Sequence, residues 1–511
     1  MTGPTPEAAR GFDRQRLLQP AVAVPALVVV ALVAAITGVF RFEPTLDEAY
    51  VYALSQHGFG PMLEFWATDP QALLPQLVAY PFAAVAHPVW WFRLPAFVAF
   101  LACVPLLWWT ARQRYSPRVA LGATALFAIS PLAVLYASDA RWPAYALLAG
   151  LASWGVLFRA IDTGSRKWWV IYALVVTGAI YTNATLVLLV AAQVVPVLWE
   201  RRRALVPWIL SLVAAGVLVI PLAVETLRAG DVNPLFRVPK PSPADVPGFL
   251  AQLLGGGGPE RVRQLLLLLA VALLLVAAWT LRRRLGGREA RGGWLAVAWI
   301  AVPVVAAFII SQGGSSIWLS RYLIAVVPAI CILIAWSASV VPRQAAVAFV
   351  AVIAVLMVYA VADESRGRGE PTGDWAAAIV AARPAGAPVV FYEAEGAQGA
   401  GYHESSLGAP DGTPIIPSWD ETTPPSNIVL LDTPEFDRLP KGPPSAELVE
   451  RLARSSSSGV VVLAIRPSDP EGAGIEWARE HCTVTRQDFD DSPTAVVRVS
   501  ACDEPGETPG E

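Results

Sequence analysis

Charge is scarce in this sequence: of 511 residues, 15% are Asp, Glu, Lys or Arg, against about 25% in an ordinary soluble domain. Lysine occurs only as Lys167, Lys240 and Lys441. The four histidines and four cysteines include no Cys-x-x-Cys or His-x-x-x-His pair, so zinc and iron–sulfur sites have no support. A net charge of -3 likewise gives no support to a nucleic-acid groove. What is plentiful is hydrocarbon. Apolar residues make up 55% of the chain and the mean hydropathy is +0.51, the composition of a polytopic membrane protein.

A hydrocarbon core about 30 Å thick needs roughly 20 apolar helical residues to cross it. Windows of that kind recur at 17–40, 93–111, 119–137, 143–161, 168–184, 186–199, 204–224, 262–281, 294–312, 322–341 and 344–362, which predicts eleven spans. The stretch 70–89 is apolar enough for a half-inserted or interfacial helix. Lys and Arg near span ends stay in the cytoplasm, and here they collect at 10–16, 112–118, 159–167, 201–203, 282–291 and Arg343. Those junctions alternate correctly if residues 1–16 form a cytoplasmic segment. The domain 17–362 then lies in the membrane, with a first outer loop at 41–92, and everything from 363 onward is extracytoplasmic.

That tail, 363–511, is rich in Asp, Glu, Gly, Pro and Ser and reads as a small soluble α/β domain. Short β-branched runs stand at 389–392, 428–431, 460–465 and 495–499. Helical patterns fall at 374–382, 446–453 and 474–481, and the Gly/Pro-rich 394–426 reads as loop. Its two cysteines, Cys482 and Cys502, are expected to pair in an oxidising compartment, while Cys103 and Cys331 lie in spans and pack as small apolar residues. The four glycines at 255–258 lack the strand, lysine and hydroxyl residue of a phosphate loop and read as a flexible outer loop.

Chemistry concentrates at the outer junctions. Asp47 and Glu48 follow the first span directly. Two readings of the pair stay open: Asp47 caps a helix over 49–57 with Glu48 beside its positive end, or the carboxylates act on a substrate, since acidic groups at a bilayer boundary are costly unless solvated or used. Arg93, Arg141 and Arg321 stand at span ends, where they can snorkel to headgroups or bind a ligand phosphate. Asp69 can cap a helix opening at Pro70 or contact an acceptor.

In order along the chain these residues stand in Leu46-Asp47-Glu48-Ala49-Tyr50, Arg93-Leu94-Pro95-Ala96, Ser138-Asp139-Ala140-Arg141-Trp142, Tyr181-Thr182-Asn183, Ser320-Arg321-Tyr322-Leu323 and Gly373-Asp374-Trp375-Ala376. The set resembles the integral-membrane glycosyltransferases of the GT-C fold, especially family 39 and related mannosyltransferase-like bacterial proteins. Relatives place Asp-x-His-Pro-Pro before the second span, whereas Asp69-Pro70-Gln71 stands here without the histidine, so this chain resembles a divergent member.

The resemblance implies an α-helical polytopic GT-C-like membrane protein with an extracytoplasmic α/β domain. It would move a mannose-like or other hexose or pentose from a polyprenyl-phosphate donor to a glycan, lipid or protein acceptor on the outer side of the cytoplasmic membrane. It implies no cofactor, no metal and no nucleic-acid partner. A polyprenyl phosphate leaves as an anion, so the donor side needs cations rather than an acid, and arginine suits that task. The acceptor hydroxyl needs a base. On this reading Asp47 is the base and Glu48 orients it or the acceptor. Arg141, Arg321 and Arg93 hold the donor phosphate, and Asp69, Tyr50, Tyr145 and Tyr322 contact substrate. Competing readings are a lipid-linked-sugar flippase, which would place ionisable groups inside its spans, and a non-catalytic envelope scaffold.

Overall fold

The structure is a computed structural model that describes residues 19–41, 48, 59–60, 63, 73–85, 89–229, 239–281, 288–313 and 316–367, and in the tail 389–391, 415–417, 446–455, 460–465, 472–488 and 495–502. All eleven apolar windows are helical. Among the described residues, eight helices are long and apolar enough to cross a membrane: Pro20–Phe40, Trp90–Ala111, Pro143–Thr163, Arg202–Arg228, Glu260–Thr280, Arg291–Gly313, Ser320–Val340 and Arg343–Arg366. The other three windows run between the same two ends as bent or shorter helices. The window 119–137 is two helices, α4 (Pro117–Ala128) and α5 (Pro131–Ala137), bent by 55°. Pro131 causes the break, because it has no N–H to donate and its ring drives Ser130 out of helical geometry to ψ 118°. The window 168–184 is a 17-residue helix, α7 (Arg166–Thr182). The window 186–199 is split at Gln193 into α8 (Leu186–Ala192) and α9 (Val194–Glu200). The expected interfacial stretch contains α2 (Leu73–Val85).

Among the remaining helices, α1 is Pro20–Arg41, α3 Val89–Ala111, α6 Pro143–Thr163 and α10 Leu205–Ala229. They are followed by α11 (Asp245–Gly255), α12 (Glu260–Leu281), α13 (Arg288–Gly313), α14 (Val327–Val340) and α15 (Arg343–Gly367). Successive spans alternate in direction, so one end of the bundle collects the starts of α3 and α6 and the end of α5. The opposite end collects the α3–α4, α6–α7 and α9–α10 connections.

Within a bilayer there is little hydrophobic drive between helices, so close backbone approach and polar pairing set the packing. Gly155 of α6 lies so near α3 that a Cβ there would fall 2.2 Å from the Trp109 ring and 2.5 Å from Thr110 Oγ1. Trp154 stacks on Trp299 of α13 with centroids 4.2 Å apart, and Trp299 Nε1 donates to the Ala325 carbonyl at 3.2 Å. Gln193, at the helix break, is buried and bonded through both its oxygen and its nitrogen. It accepts from the Tyr172 hydroxyl and donates to Ser153 Oγ at 2.8 Å, while Trp208 Nε1 donates to Tyr172 at 3.0 Å. Four helices are thus registered by one chain of hydrogen bonds.

The glycines at 255–258 do not form an open loop. Gly256 sits at φ +58°, where a Cβ would lie 2.9 Å from Leu132 N, and one on Gly257 would lie 2.3 Å from the Glu364 carboxylate. The run is a knot joining α11, the α4–α5 bend and α15, and glycine is needed for both the left-handed backbone and the contact.

In the tail the described strands form one sheet in the order β2-β1-β3-β5-β4, with β1 Val389–Phe391, β2 Ile415–Pro417, β3 Val460–Ile465, β4 Thr483–Asp488 and β5 Ala495–Ser500. β2 lies inside the stretch expected to be loop. β4, Thr483-Val-Thr-Arg-Gln-Asp488, is polar and carries no strand pattern; it needs burial on one side only, as an edge strand antiparallel to β5. The helices Ala446–Ser455 and Gly472–His481 fall where the patterns put them and cover a core of Val449, Leu452, Val461, Leu463, Ile475, Val497 and Val499. The expected elements at 374–382 and 428–431 lie outside the described residues. Cys482 and Cys502 are joined in a disulfide, and Cys103 and Cys331 are buried thiols.

The crowding at Gly155 gives a direct test. Gly155→Val is expected to lower the melting temperature of the detergent-solubilised protein by an overpacking cost of about 1–3 kcal/mol or more. Gly216→Ala, which meets nothing within 4 Å, should be neutral or stabilising by up to about 1 kcal/mol. Equal melting of the two variants would contradict the packing described.

Candidate active site

The site is built on a buried ion pair. Arg93, in the first turns of α3, donates from Nε to Glu48 Oε1 at 2.8 Å and from Nη2 to Oε2 at 2.7 Å, with each side chain 1% exposed. Its other terminal nitrogen faces the carbonyls of Gly38 at 3.3 Å and Val39 at 3.4 Å. Those carbonyls belong to the last turn of α1, where helix geometry leaves them without internal partners. Glu48 Oε1 also accepts the Ala140 N–H at 2.8 Å. One carboxylate and one guanidinium therefore tie together the end of α1, Glu48, the start of α3 and the α5–α6 junction. A pair this deep is costly to desolvate and holds only because the remaining donors and acceptors find partners.

The α5–α6 junction carries a second pair. Asp139 is 2% exposed and takes Arg141 in fork geometry, from Nε at 2.8 and 3.0 Å and from Nη2 at 2.6 Å, and it also accepts the Arg141 backbone N–H at 3.0 Å. Arg141 is 13% exposed, and its guanidinium is aimed by a buried carboxylate. Pro143 then opens α6 at its first position, where a missing N–H costs nothing.

Next to Arg141, the Trp142 ring stacks on Tyr322 with centroids 5.5 Å apart and planes at 10°. Tyr322 belongs to a 3-10 segment, Ser320–Val326, that leads into α14. The Arg321 guanidinium lies over the same Tyr322 ring at 5.7 Å, and Thr185 Oγ1 donates to the Tyr322 carbonyl at 3.0 Å. Thr185 is in turn fixed by Asn183, whose side-chain oxygen accepts the Thr185 N–H at 2.9 Å. The segments around 48, 93, 139–142, 183–185 and 320–323 are thereby gathered at one end of the bundle by side-chain contacts spanning up to 180 residues of sequence.

Tyr145, one turn into α6, has a buried hydroxyl with no hydrogen-bond partner among the described residues. Arg263 of α12 packs against Gly255 with its Nε buried and likewise unpartnered. Nothing in its spacing marked Arg263 in the sequence, and only the fold brings it against the glycine knot. A small cavity at the same end, between α1, α5 and α15, is lined by Gly38, Ser138, Glu364 and Ser365 among others. Asp47, Tyr50 and Asp69 lie outside the described residues. Among those described, no three His, Cys, Asp or Glu side chains converge as metal ligands would.

The backbone arrangement is shared with solved membrane proteins. ArnT from Cupriavidus metallidurans superposes with a TM-score of 0.60 over 93% of this chain and 97% of its own, at 14% identity. The chain has the GT-C fold. The same ArnT bound to undecaprenyl phosphate matches over 94% of this chain and 98% of its own, with a TM-score of 0.60 at 15% identity. The archaeal oligosaccharyltransferase AglB from Archaeoglobus fulgidus, in complex with an inhibitory peptide and a dolichol-phosphate, matches over 98% and 76% at 11% identity, with a TM-score of 0.50. Residues 72–224 match the family model of dolichyl-phosphate-mannose-protein mannosyltransferase, which takes in Arg93, Asp139, Arg141 and Asn183. No curated protein matches the chain by sequence. Within this GT-C framework Arg93, expected at the donor phosphate, bonds Glu48 and helix-end carbonyls.

Breaking the buried pair should be costly in a diagnostic way. Glu48→Gln and Arg93→Met are each expected to destabilise the protein by roughly 3–5 kcal/mol, because each strands a buried partner. The double variant should cost less than the two singles together, as read from apparent melting temperatures in detergent. Additive losses would show that the two side chains do not depend on one another.

Proposed function

We propose that the chain is a membrane glycosyltransferase that moves a monosaccharide from a polyprenyl-phosphate donor to an acceptor hydroxyl outside the cytoplasmic membrane. The observation that carries this reading is the superposition of 94% of the chain on a protein bound to undecaprenyl phosphate, together with two arginine-bearing segments meeting through the Trp142–Tyr322 stack. A lipid-linked donor has its tail in the bilayer and its phosphate at headgroup level, so its binding groups belong at span ends. Arg141 and Arg321 are there.

In the reaction the acceptor oxygen attacks the anomeric carbon, the carbon–oxygen bond to phosphate breaks, and polyprenyl phosphate departs as an anion. The acceptor proton passes to Asp47. Arg141, oriented by Asp139, and Arg321 take up the charge that develops on the leaving phosphate. Tyr145 and Tyr322 line the path of the donor, and Asp69 and Tyr50 of the first outer loop contact the acceptor. Glu48 and Arg93 act as positioning residues: Glu48 is the residue after Asp47 and is clamped to both α3 and Ala140, so the base is carried on a fixed neighbour.

The proposed orientation puts residues 1–16 in the cytoplasm and the tail from 363 outside, where an oxidising compartment keeps the Cys482–Cys502 bond. The absence of ionisable side chains from the middles of most spans argues against a flippase. Mannose is one candidate sugar, in line with the family model matched by 72–224.

Purified protein in nanodiscs, given a labelled polyprenyl-phosphate sugar and an acceptor mixture, is expected to transfer label. Asp47→Asn should reduce transfer by about 10²–10⁴-fold, the range of a lost general base, without a shift in melting temperature. Normal turnover in that variant would remove Asp47 from the chemistry.

A further inference from the structure

The end of the bundle opposite Glu48 has its own charge arrangement. Arg114, in the α3–α4 connection, pairs with Asp162 at 3.0 Å and with Glu200 at 2.6 Å, and it donates to the Phe158 carbonyl at 3.4 Å. Arg201 donates to the Ile161 carbonyl at 3.2 Å, and Ser211 Oγ donates to the Trp169 carbonyl at 3.1 Å. These contacts fix the end of α6, the start of α7, the end of α9 and the start of α10 in one corner. The corner holds seven cations, Arg114, Arg159, Arg166, Lys167, Arg201, Arg202 and Arg203, and two carboxylates, Asp162 and Glu200. Arg114 alone occupies both carboxylates.

Arg159, Arg166, Lys167, Arg202 and Arg203 are consequently exposed and, among the described residues, paired with no acid. Arg159 lies over the Trp168 ring at 5.9 Å, a fixed rather than a trailing position. Directly beyond these cations the helices present bare hydrocarbon: Val170 is 60% exposed, Leu174 57%, Val206 65% and Leu210 62%, with Trp199 at 54% on the adjoining helix. A ligand complementary to both features carries an anionic head and two or more apolar tails. A soluble polyanion would match the cations and leave the apolar faces uncovered.

We propose that this corner binds the phosphodiester headgroup of an anionic phospholipid in the leaflet facing it, with Arg159, Arg166, Lys167, Arg202 and Arg203 around the phosphate and Trp168 and Trp199 at the level of the glycerol backbone. Juxtamembrane cations attract acidic lipid at about fivefold in affinity for each Lys or Arg near the surface. Seven cations against two carboxylates leave the corner a net charge of +5, and with both carboxylates held by Arg114 that attraction falls on lipid rather than on the protein. The inference is independent of whether the opposite end transfers a sugar.

The full-length protein, reconstituted in vesicles of equal phosphatidylglycerol and phosphatidylcholine and re-extracted in mild detergent, is expected to retain phosphatidylglycerol preferentially, as counted by native mass spectrometry. The triple variant Arg166→Gln, Lys167→Gln, Arg203→Gln should retain about tenfold less or lower, at unchanged melting temperature. Arg343→Gln removes another exposed arginine that starts a span on the same end, outside the corner, and should retain as much as the parent. Should the triple variant not fold, 1 M salt, which shortens screening to about 3 Å, should strip phosphatidylglycerol from the parent and spare phosphatidylcholine. The proposal is overturned if the parent shows no preference, if salt leaves the bound lipid in place, or if Arg343→Gln loses lipid as fully as the triple variant, since the attraction would then belong to the whole basic end.

Discussion

The Glu48–Arg93 ion pair is the constraint on which the rest of the candidate site depends. Both side chains are almost fully out of water, so neither can be left single without a large desolvation penalty. Their spare valences are filled by the carbonyls at the end of α1 and by the Ala140 N–H. Satisfying one buried carboxylate therefore determines where two helix ends and an interhelical junction meet. The Asp139–Arg141 pair repeats the device nearer the surface, with the acid buried and the base partly open. Inward, an acid serves architecture; outward, it aims a cation at whatever occupies the site.

The two ends of the bundle use arginine differently. Around Glu48, arginines are matched one to one with acids or aromatic rings, and their directions are set. Around Arg114, a single arginine holds two carboxylates and six other cations are exposed beside apolar helix faces. The first arrangement suits recognition of a defined anionic group, and the second suits a bilayer surface. Between the ends, packing depends on small residues and satisfied polar chains such as Ser153–Gln193–Tyr172–Trp208, as expected where lipid competes with protein for every apolar contact.

Much of the fold was legible from hydropathy, because a spanning helix declares itself locally. All eleven apolar windows are helices, and the residues singled out at their junctions that fall within the described region lie at one end. What sequence could not supply were facts about partners. Glu48 and Arg93 are 45 residues apart and Trp142 and Tyr322 are 180 apart, and no local pattern announces either contact. Three of the eleven windows are bent or shorter helices, and Pro131, which breaks one of them, changes geometry without changing hydropathy. The glycines at 255–258 read as a flexible loop because glycine permits both freedom and close approach, and only the neighbours, Leu132 and Glu364, decide which applies. β4 escaped notice because a polar edge strand has no hydrophobic signature.

The central claim is that the segments gathered by these contacts form one site for a lipid-linked phosphate. An experimental structure of the full chain with a bound polyprenyl phosphate tests it most directly. The account predicts the phosphate oxygens within hydrogen-bonding distance of Arg141 and Arg321, with Arg93 still bonded to Glu48. A phosphate seated elsewhere, or one that draws Arg93 away from Glu48, would contradict it.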